Sequence, residues 1–291
     1  MVRRRLFLGY GLLFLGGCAL AQNPGRNPTA PGKLRFAITD TSGTDELEQD
    51  FGVFRQTLAD VLQMPVEFFP VKNYSAAAPA LIANELDFVL AGPSEYLLLR
   101  ARADAAPIVG ITRPGYVSMI MTRIDSGLNQ LSDLHGKRIA MRTEGSTAGH
   151  IMPLKMLLDA GLATDAYEVQ MLNRQGFEAL QVGNVDAWAD SASRYMEYVK
   201  SPGLDGTEIQ VIATSENLPP DVFVANPNLD PDFLAELKNQ MLANQDVLMA
   251  ALWASEANQK YKQSTLVSVE DSDYQTLRDS YYAIGQGSTI E

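Results

Sequence analysis

Apolar positions recur along the chain with a period of two in some stretches and with a helical period in others. Residues 34–38 alternate like a half-buried strand, and residues 48–62 repeat apolar side chains at helical spacing. The same change of period predicts further strands at 66–69, 87–92 and 108–111, and helices at 74–84 and 94–103. Strands that alternate with helices in this way predict a parallel, doubly wound sheet.

A longer apolar strand at 116–121 predicts a crossover to a second α/β lobe. Strands are expected there at 137–141, 167–172, 185–189 and 210–213, and helices at 152–160, 176–182 and 191–200. A strand at 222–225 returns to the first lobe, followed by helices at 230–244, 246–261 and 274–282. We therefore expect lobe 1 to comprise residues 33–117 plus 215–291, and lobe 2 residues 118–214. Ligands bind at the carboxyl ends of strands in open α/β sheets, which predicts a binding cleft between the lobes.

The N-terminus has the pattern of an export signal. Three arginines precede the apolar stretch 6–15, which is too short to span a membrane as a helix. The sequence Leu-Gly-Gly-Cys then ends at Cys18 and resembles the lipobox of bacterial lipoproteins. We predict a signal peptide at 1–17, with lipidated Cys18 and a flexible tether at 18–32. The alternatives are an ordinary signal peptide cut after Ala21 and, for the export route, a twin-arginine signal.

One small-residue turn has the composition of an anion site. Residues 145–150 (Gly-Ser-Thr-Ala-Gly-His) follow a predicted strand and begin a predicted helix. The start of a helix presents backbone N–H groups and the positive end of its dipole, both of which favour an anion. Ser146, Thr147 and His150 add two hydroxyls and an imidazole, so all three are candidate ligand contacts. Ser146 and Thr147 can also act as helix caps.

Composition excludes several other classes of function. The net charge of −12 argues against nucleic acid and against a basic membrane-binding surface. Two histidines and one cysteine, the predicted lipidation site, make a zinc or redox centre improbable, and we expect neither a metal nor a cofactor. Ser146 and His150 do not form a nucleophile elbow, and no phosphate-loop lysine motif is present, so we expect no enzyme.

Six short segments together resemble one family, the periplasmic binding proteins of phosphonate, phosphite and phosphate ABC importers. They cover roughly residues 33–260 and follow one another at the family's separations. The segments are 87–93 (DFVLAGP), 114–118 (PGYVS), 134–140 (LHGKRIA), 145–153 (GSTAGHIMP), 183–187 (GNVDA) and 218–221 (LPPD). The resemblance implies a two-lobed type II periplasmic binding protein fold of the α/β class, with doubly wound sheets joined by two crossovers.

The resemblance also implies a set of ligand contacts. Ser146 and Thr147 would hold the phosphorus-bound oxygens through their hydroxyls and helix N–H groups. Tyr74 and Tyr116 would close over the oxyanion from the other lobe, and Asp221 would meet the ligand from its loop. Ala148 stands where the family has a second serine. The implied partners are a small phosphorus oxyanion, an ABC permease and its ATPase, with the membrane reached only through the lipid anchor.

Two departures from the family pattern bear on the ligand. Relatives that hold an aminoalkylphosphonate meet its ammonium with a histidine, a glutamate about twenty residues later and an aspartate, and of these three only the aspartate is present here, as Asp221. Here Phe177 stands at the first position and the segment 191–193 carries no glutamate. Burying an ammonium without its carboxylates costs several kcal/mol. We therefore expect phosphite, methylphosphonate or phosphate, and we expect Asp221, or alternatively Asp190, to accept the proton of a ligand P–O–H group. A larger alkylphosphonate, or a sensor lipoprotein that signals to a membrane partner, are the alternatives.

Overall fold

The computed structural model describes residues 31–39, 43–71, 76–200 and 208–291. The predicted signal peptide, Cys18, most of the predicted tether and Tyr74 lie outside these residues. Within the described ranges, no helix has both the length and the apolar character needed to cross a bilayer.

Strands and helices alternate through most of the described chain. The strands are β1 (Leu34–Ile38), β2 (Val66–Phe68), β3 (Phe88–Ala91), β4 (Ala106–Ile111), β5 (Ser118–Arg123), β6 (Arg138–Met141), β7 (Glu168–Met171), β8 (Ala187–Ser191), β9 (Ile209–Thr214), β10 (Asp221–Ala225) and β11 (Leu266–Ser268). The α-helices are α1 (Thr44–Leu62), α2 (Ala77–Ile82), α3 (Pro93–Ala103), α4 (Met152–Asp159), α5 (Gly176–Gln181), α6 (Ala192–Val199), α7 (Pro231–Ala243), α8 (Gln245–Leu252) and α9 (Gln275–Ala283).

These strands form two separate sheets. One has the order β11-β4-β10-β3-β1-β2, and the other has the order β7-β6-β8-β5-β9. Strands β1, β2 and β3 run parallel to one another, as do β6, β7 and β8. The chain crosses to the second sheet at β5 and returns to the first at β10. Both of these strands run antiparallel to their neighbours. The two-lobed α/β fold is therefore confirmed, but each sheet is mixed rather than wholly parallel.

The structure differs from the sequence-based predictions at three places. The predicted helix 246–261 ends at Leu252 and is followed by a 3₁₀ segment, Glu256–Tyr261. Strand β11 was missed, since three residues are too short to establish a period. The helix after the small-residue turn begins as a π-helix, Thr147–Ile151, before it continues as α4.

Aromatic rings fill the core of the first sheet. The ring of Phe223 on β10 stacks on Phe88 at a centroid distance of 5.3 Å and on Phe54 at 5.7 Å. Phe36 lies 5.6 Å from Phe88, and all four side chains are fully buried. This cluster fixes the antiparallel strand β10 between β3 and β4, and so fixes the position of Asp221 at its beginning.

The same arginine–aspartate pair occurs at the start of both sheets. In the first, Asp87 accepts hydrogen bonds from the backbone N–H and the guanidinium of Arg35, at 2.6 to 2.8 Å. In the second, Asp186 accepts from the same groups of Arg138, at 2.9 to 3.2 Å. Each aspartate thereby ties the beginning of one parallel strand to the strand beside it, which gives Asp186 the structural role that its position before a strand suggests.

The two pairs differ in burial, which predicts different contributions to stability. Asp87 is 2% exposed, whereas the side chain of Asp186 is 29% exposed. We expect Asp87→Ala to lower the free energy of unfolding by about 2 kcal/mol, because the buried carboxylate accepts three hydrogen bonds from Arg35 that the variant loses. We expect Asp186→Ala to cost about 1 kcal/mol or less, because water screens that pair. Urea unfolding of both variants measures the difference, and equal losses would contradict the assignment.

Candidate functional site

A cavity of about 950 Å³ lies between the two sheets, where the carboxyl ends of strands from both meet. Residues that follow β3, β4, β6 and β8 line it. Four of the sequence-predicted contacts are among its lining residues: Tyr116, Ser146, Thr147 and Asp221. Ala148 lines the cavity with them.

The small-residue turn forms one wall of this cavity. Gly145 adopts a positive φ of 82°, which a side chain would disfavour, and turns the chain into the π-helix. The carbonyl of Ser146 accepts from the N–H groups of both His150 and Ile151, each at 2.9 Å. The backbone N–H groups of residues 147–149 have no carbonyl acceptor within the helix, as is usual for the first residues of a helix. The turn therefore presents donors at the positive end of a helix, and π-helical turns of this kind are frequent at functional sites.

A cross-lobe hydrogen-bond pair joins this turn to the first lobe. The backbone N–H of Ser94, at the start of α3, donates to Oγ1 of Thr147 at 3.1 Å. The Thr147 hydroxyl in turn donates to Oγ of Ser94 at 2.9 Å. Both residues are buried. The Thr147 hydroxyl thus joins the start of α3 directly to the start of the π-helix, and of these two residues Thr147 lines the cavity.

His150 lies behind the turn rather than among the cavity-lining residues. It is 3% exposed, and its Nδ1 accepts a hydrogen bond from the N–H of Gly145 at 3.0 Å. Burial lowers the pKa of this imidazole, which favours the neutral form that can accept such a bond. The hydrogen bond to His150 stabilises the conformation of the turn at Gly145. A direct contact between His150 and the ligand stays a prediction.

An arginine that the sequence analysis missed lies against Asp221. Nη1 of Arg113 is 3.2 and 3.4 Å from the two carboxylate oxygens of Asp221, and the side chains are 10% and 4% exposed. The hydroxyl of Tyr261 donates to the same carboxylate at 2.7 Å. The guanidinium carbon of Arg113 lies 3.5 Å from the centre of the Tyr116 ring, a close cation–π contact.

Charge and burial set the protonation of this group. Burial by itself would lower the pKa of Arg113, but the adjacent charge of Asp221 raises it above its ordinary value. Burial raises the pKa of the Tyr116 phenol to about 12, although Arg113 opposes the shift. Tyr116 is therefore a neutral hydrogen-bond donor and Arg113 is a cation throughout the physiological pH range.

The cavity has the opposite charge balance from the chain as a whole. Seven basic and five acidic side chains are among its described lining residues, whereas the chain carries a net charge of −12. Arg142 directly follows β6, and its side chain packs over Gly149, where a Cβ would come within 2.6 Å of Arg142 Cγ. Arg113 and Arg142 both follow strand ends, a positional signal that the sequence analysis used for hydroxyl and tyrosine residues but not for arginine.

Asp190 is the buried acid of the second lobe. It lines the cavity, is 2% exposed, and accepts the backbone N–H of Ser191 at 2.7 Å. Burial raises its pKa, and the charges of Arg142 and Arg194 oppose that rise. Within the described ranges, no three His, Cys, Asp or Glu side chains come together in an arrangement that could hold a metal ion.

Phe177 does not line the cavity. It is 3% exposed, stacks on Tyr198 at 4.5 Å and meets the edge of Trp188 at 5.5 Å. Ser191 and Ser193, from the segment that carries no glutamate, do line the cavity. The second lobe thus presents hydroxyl groups to the cavity from this segment.

Comparison with known proteins places these features in a family. The family described as the periplasmic phosphonate substrate-binding protein of ABC transporters matches residues 36–274. The phosphate-import protein PhnD of Mycolicibacterium smegmatis is 23% identical over 256 residues, which cover 81% of this chain and 79% of that protein.

Two solved structures have a similar fold. PhnD1 from Prochlorococcus marinus, solved with methylphosphonate, superposes with a TM-score of 0.73 at 19% identity, covering 88% of this chain and 99% of that one. A Xanthomonas citri protein solved with bound ATP also gives a TM-score of 0.73, at 15% identity, covering 89% of this chain and 98% of that one.

The family match spans most of the described chain and includes both sheets and the small-residue turn. The chain therefore belongs to the family of periplasmic substrate-binding proteins of ABC phosphonate transporters, whose members bind a transported substrate and are not enzymes.

Proposed function

We propose that this protein captures a small phosphorus oxyanion, namely phosphite, methylphosphonate or phosphate, in the cavity between its lobes and delivers it to an ABC permease and its ATPase. The observation that carries the proposal is the helix start at Thr147, which lines a cavity with a net positive lining and is hydrogen-bonded to the start of α3 at Ser94. Helix starts and cations together suit a compact anion, and Ser146 and Tyr116 can add hydrogen bonds to its oxygens.

The residues at the positions where relatives bind an ammonium also favour a ligand without an amine. Phe177 is buried away from the cavity, and serines occupy the 191–193 segment. Asp221 already pairs with Arg113 and with Tyr261. An ammonium group placed here would compete with Arg113 for this carboxylate, and the competition makes an aminoalkylphosphonate a poor ligand.

We infer that the ligand acts by closing the lobes. Lobe 1 is residues 33–117 plus 215–291 and lobe 2 is residues 118–214, so that the two connecting segments serve as the hinge. A ligand that contacts both lobes favours their closed arrangement, and the permease would recognise that arrangement. Tyr74, outside the described residues, is proposed to contact the ligand from lobe 1.

The cavity volume favours a second candidate, a phosphonate with a longer alkyl group. A volume of about 950 Å³ lies near the upper end of the roughly 300–1,000 Å³ of pockets that hold drug-sized ligands. Methylphosphonate would leave much of that space to water, whereas a longer alkyl chain would fill more of it.

Calorimetric titration of the purified protein should separate these candidates. We expect phosphite, methylphosphonate and phosphate each to bind at least about tenfold more tightly than 2-aminoethylphosphonate, a difference of about 1.4 kcal/mol. Tightest binding of the amine would contradict the proposed ligand class. Affinity that increases steadily from methyl- to butylphosphonate would favour the second candidate instead. Sodium chloride injections in the same buffer provide the control.

Removal of the turn hydroxyls should weaken this binding. Ser146→Ala should cost about 1.5–3 kcal/mol of binding free energy, the usual value of a hydrogen bond to a charged group. Thr147→Ala should cost a similar amount and should also remove the bonds to Ser94. Ser132→Ala, at an exposed position away from the cavity, is the matched control. Unchanged affinity in both turn variants would remove the turn from the site.

The lipid anchor is proposed from the sequence around Cys18. After detergent phase separation, we expect the wild-type protein in the detergent phase and the Cys18→Ser protein in the aqueous phase. Lipid chains supply the membrane affinity, since no described helix is a candidate membrane span. Recovery of both proteins in the aqueous phase would favour the ordinary signal peptide cut after Ala21.

A further inference from the structure

We propose that the site binds its phosphorus oxyanion as the doubly deprotonated dianion, and that Arg113 is the specificity-determining cation that contacts it. This inference rests on the proposed function and adds to it the protonation state of the ligand. Asp221 acts in this arrangement as a positioning residue that holds the guanidinium, rather than as the acceptor of a ligand proton.

The guanidinium of Arg113 has N–H donors that are not used by Asp221. Its Nη1 reaches Asp221, while no hydrogen bond to a described residue is made by Nε or Nη2. The side chain lines the cavity although only 10% of it is exposed. A guanidinium presents five N–H groups in a fixed plane, so one edge can hold a carboxylate while another binds a phosphorus-bound oxygen. Stacking on Tyr116 fixes the plane of that group.

The hydrogen-bonding capacity of Asp221 is largely used within the protein. Arg113 Nη1 lies within 3.4 Å of both of its oxygens, and Tyr261 donates to one of them. A carboxylate left alone beside an oxyanion would need a ligand proton to avoid repulsion. Because Arg113 neutralises this carboxylate, Asp221 places no such demand on the ligand, and a dianion can approach.

Other titratable or charged groups lie near the Arg113–Asp221 pair, on several elements. Tyr116 lies on the same segment as Arg113, and Tyr261 follows from the 3₁₀ segment before β11. Glu95 on α3 and Tyr274 also lie within electrostatic range. Across the cavity, the second lobe contributes acidic Asp190 and basic Arg142 and Arg194. The dianion thus meets a lining in which basic side chains outnumber acidic ones.

Among the described residues near the site, Asp190 and His150 could titrate in the same pH range as the ligand. Loss of a proton from either would lower the affinity for an anion as pH rises. Burial raises the pKa of Asp190, so its ionisation at higher pH would add negative charge and weaken anion binding. Burial lowers the pKa of His150, so any positive charge it carries would also be lost as pH rises. A rise of affinity with pH therefore has to come from ionisation of the ligand.

Titration calorimetry of the wild-type protein with inorganic phosphate, from pH 6 to pH 8.5, tests the dianion. Phosphate affinity should increase by about tenfold per pH unit below the second pKa of the ligand and should level off above it. Binding with a flat or falling pH profile would overturn this inference and leave the proposed function standing. Absence of binding of phosphate, phosphite and methylphosphonate at every pH would overturn both.

Variants of the pair test the role of Arg113. Arg113→Gln should lose the rise with pH, because Asp221 then lacks a neutralising cation and favours the protonated ligand. Affinity at pH 8.5 should fall by a hundredfold or more, on the order of the loss when one partner of a buried charge pair is removed. Asp221→Asn keeps the cation and should retain the rise. If Arg113 acted only on the fold, Arg113→Gln would lower affinity equally at all pH values, and that result would overturn the assignment.

Two further variants complete the test. Arg123→Gln removes an arginine from an exposed pair with Asp125 outside the cavity, and it should leave both affinity and pH profile unchanged. Arg113→Lys retains the charge without the second donor edge, and it should weaken binding while keeping the rise with pH. This conservative variant decides the question if Arg113→Gln does not fold, since loss of the rise in Arg113→Lys would contradict a role for the cation.

Discussion

The site depends on one topological constraint: parallel strands of a sheet all end at the same edge. Residues that follow β3 and β4 lie at this edge of the first sheet, residues that follow β6 and β8 lie at this edge of the second, and the two edges face the same cavity. The ion pairs Arg35–Asp87 and Arg138–Asp186 tie the opposite ends of the strands together in the two sheets. The fold thereby brings residues that are distant in the sequence, such as Arg113 and Ser146, into one cavity.

Electrostatics explains how an acidic protein can hold an anion. The net negative charge of the whole chain disfavours the approach of an anion. The attraction between an anion and buried donors acts over a short distance, however, and is stronger where water is excluded. Arg113 is buried beside Asp221, and Thr147 joins two helix starts whose dipoles point toward the cavity. Near the ligand, a small number of fixed and mostly buried donors outweighs many screened charges on the surface.

The resemblance to a family predicted the fold and the presence of Tyr116, Ser146, Thr147 and Asp221 in the cavity. These residues lie in short sequence motifs whose spacing can be read along the chain. The partners of these residues could not be predicted in the same way. Tyr261 is forty residues from Asp221, and Ser94 is more than fifty residues from Thr147. No periodicity links these partners. Tyr261 meets Asp221 within the first lobe, through the tertiary placement of the 3₁₀ segment before β11, whereas Ser94 meets Thr147 only when the two lobes are assembled.

The sequence alone determined the alternation of strands and helices, because apolar periodicity reflects burial that each segment needs whatever its neighbours are. It also carries the local patterns from which we predict an export signal and an anion-binding turn. Only the tertiary structure decided that His150 supports the turn from behind, that β5 and β10 run antiparallel, and that Arg113 neutralises Asp221. Each of these outcomes depends on distances between groups in the folded chain, and the apolar periodicity along the sequence does not report such distances.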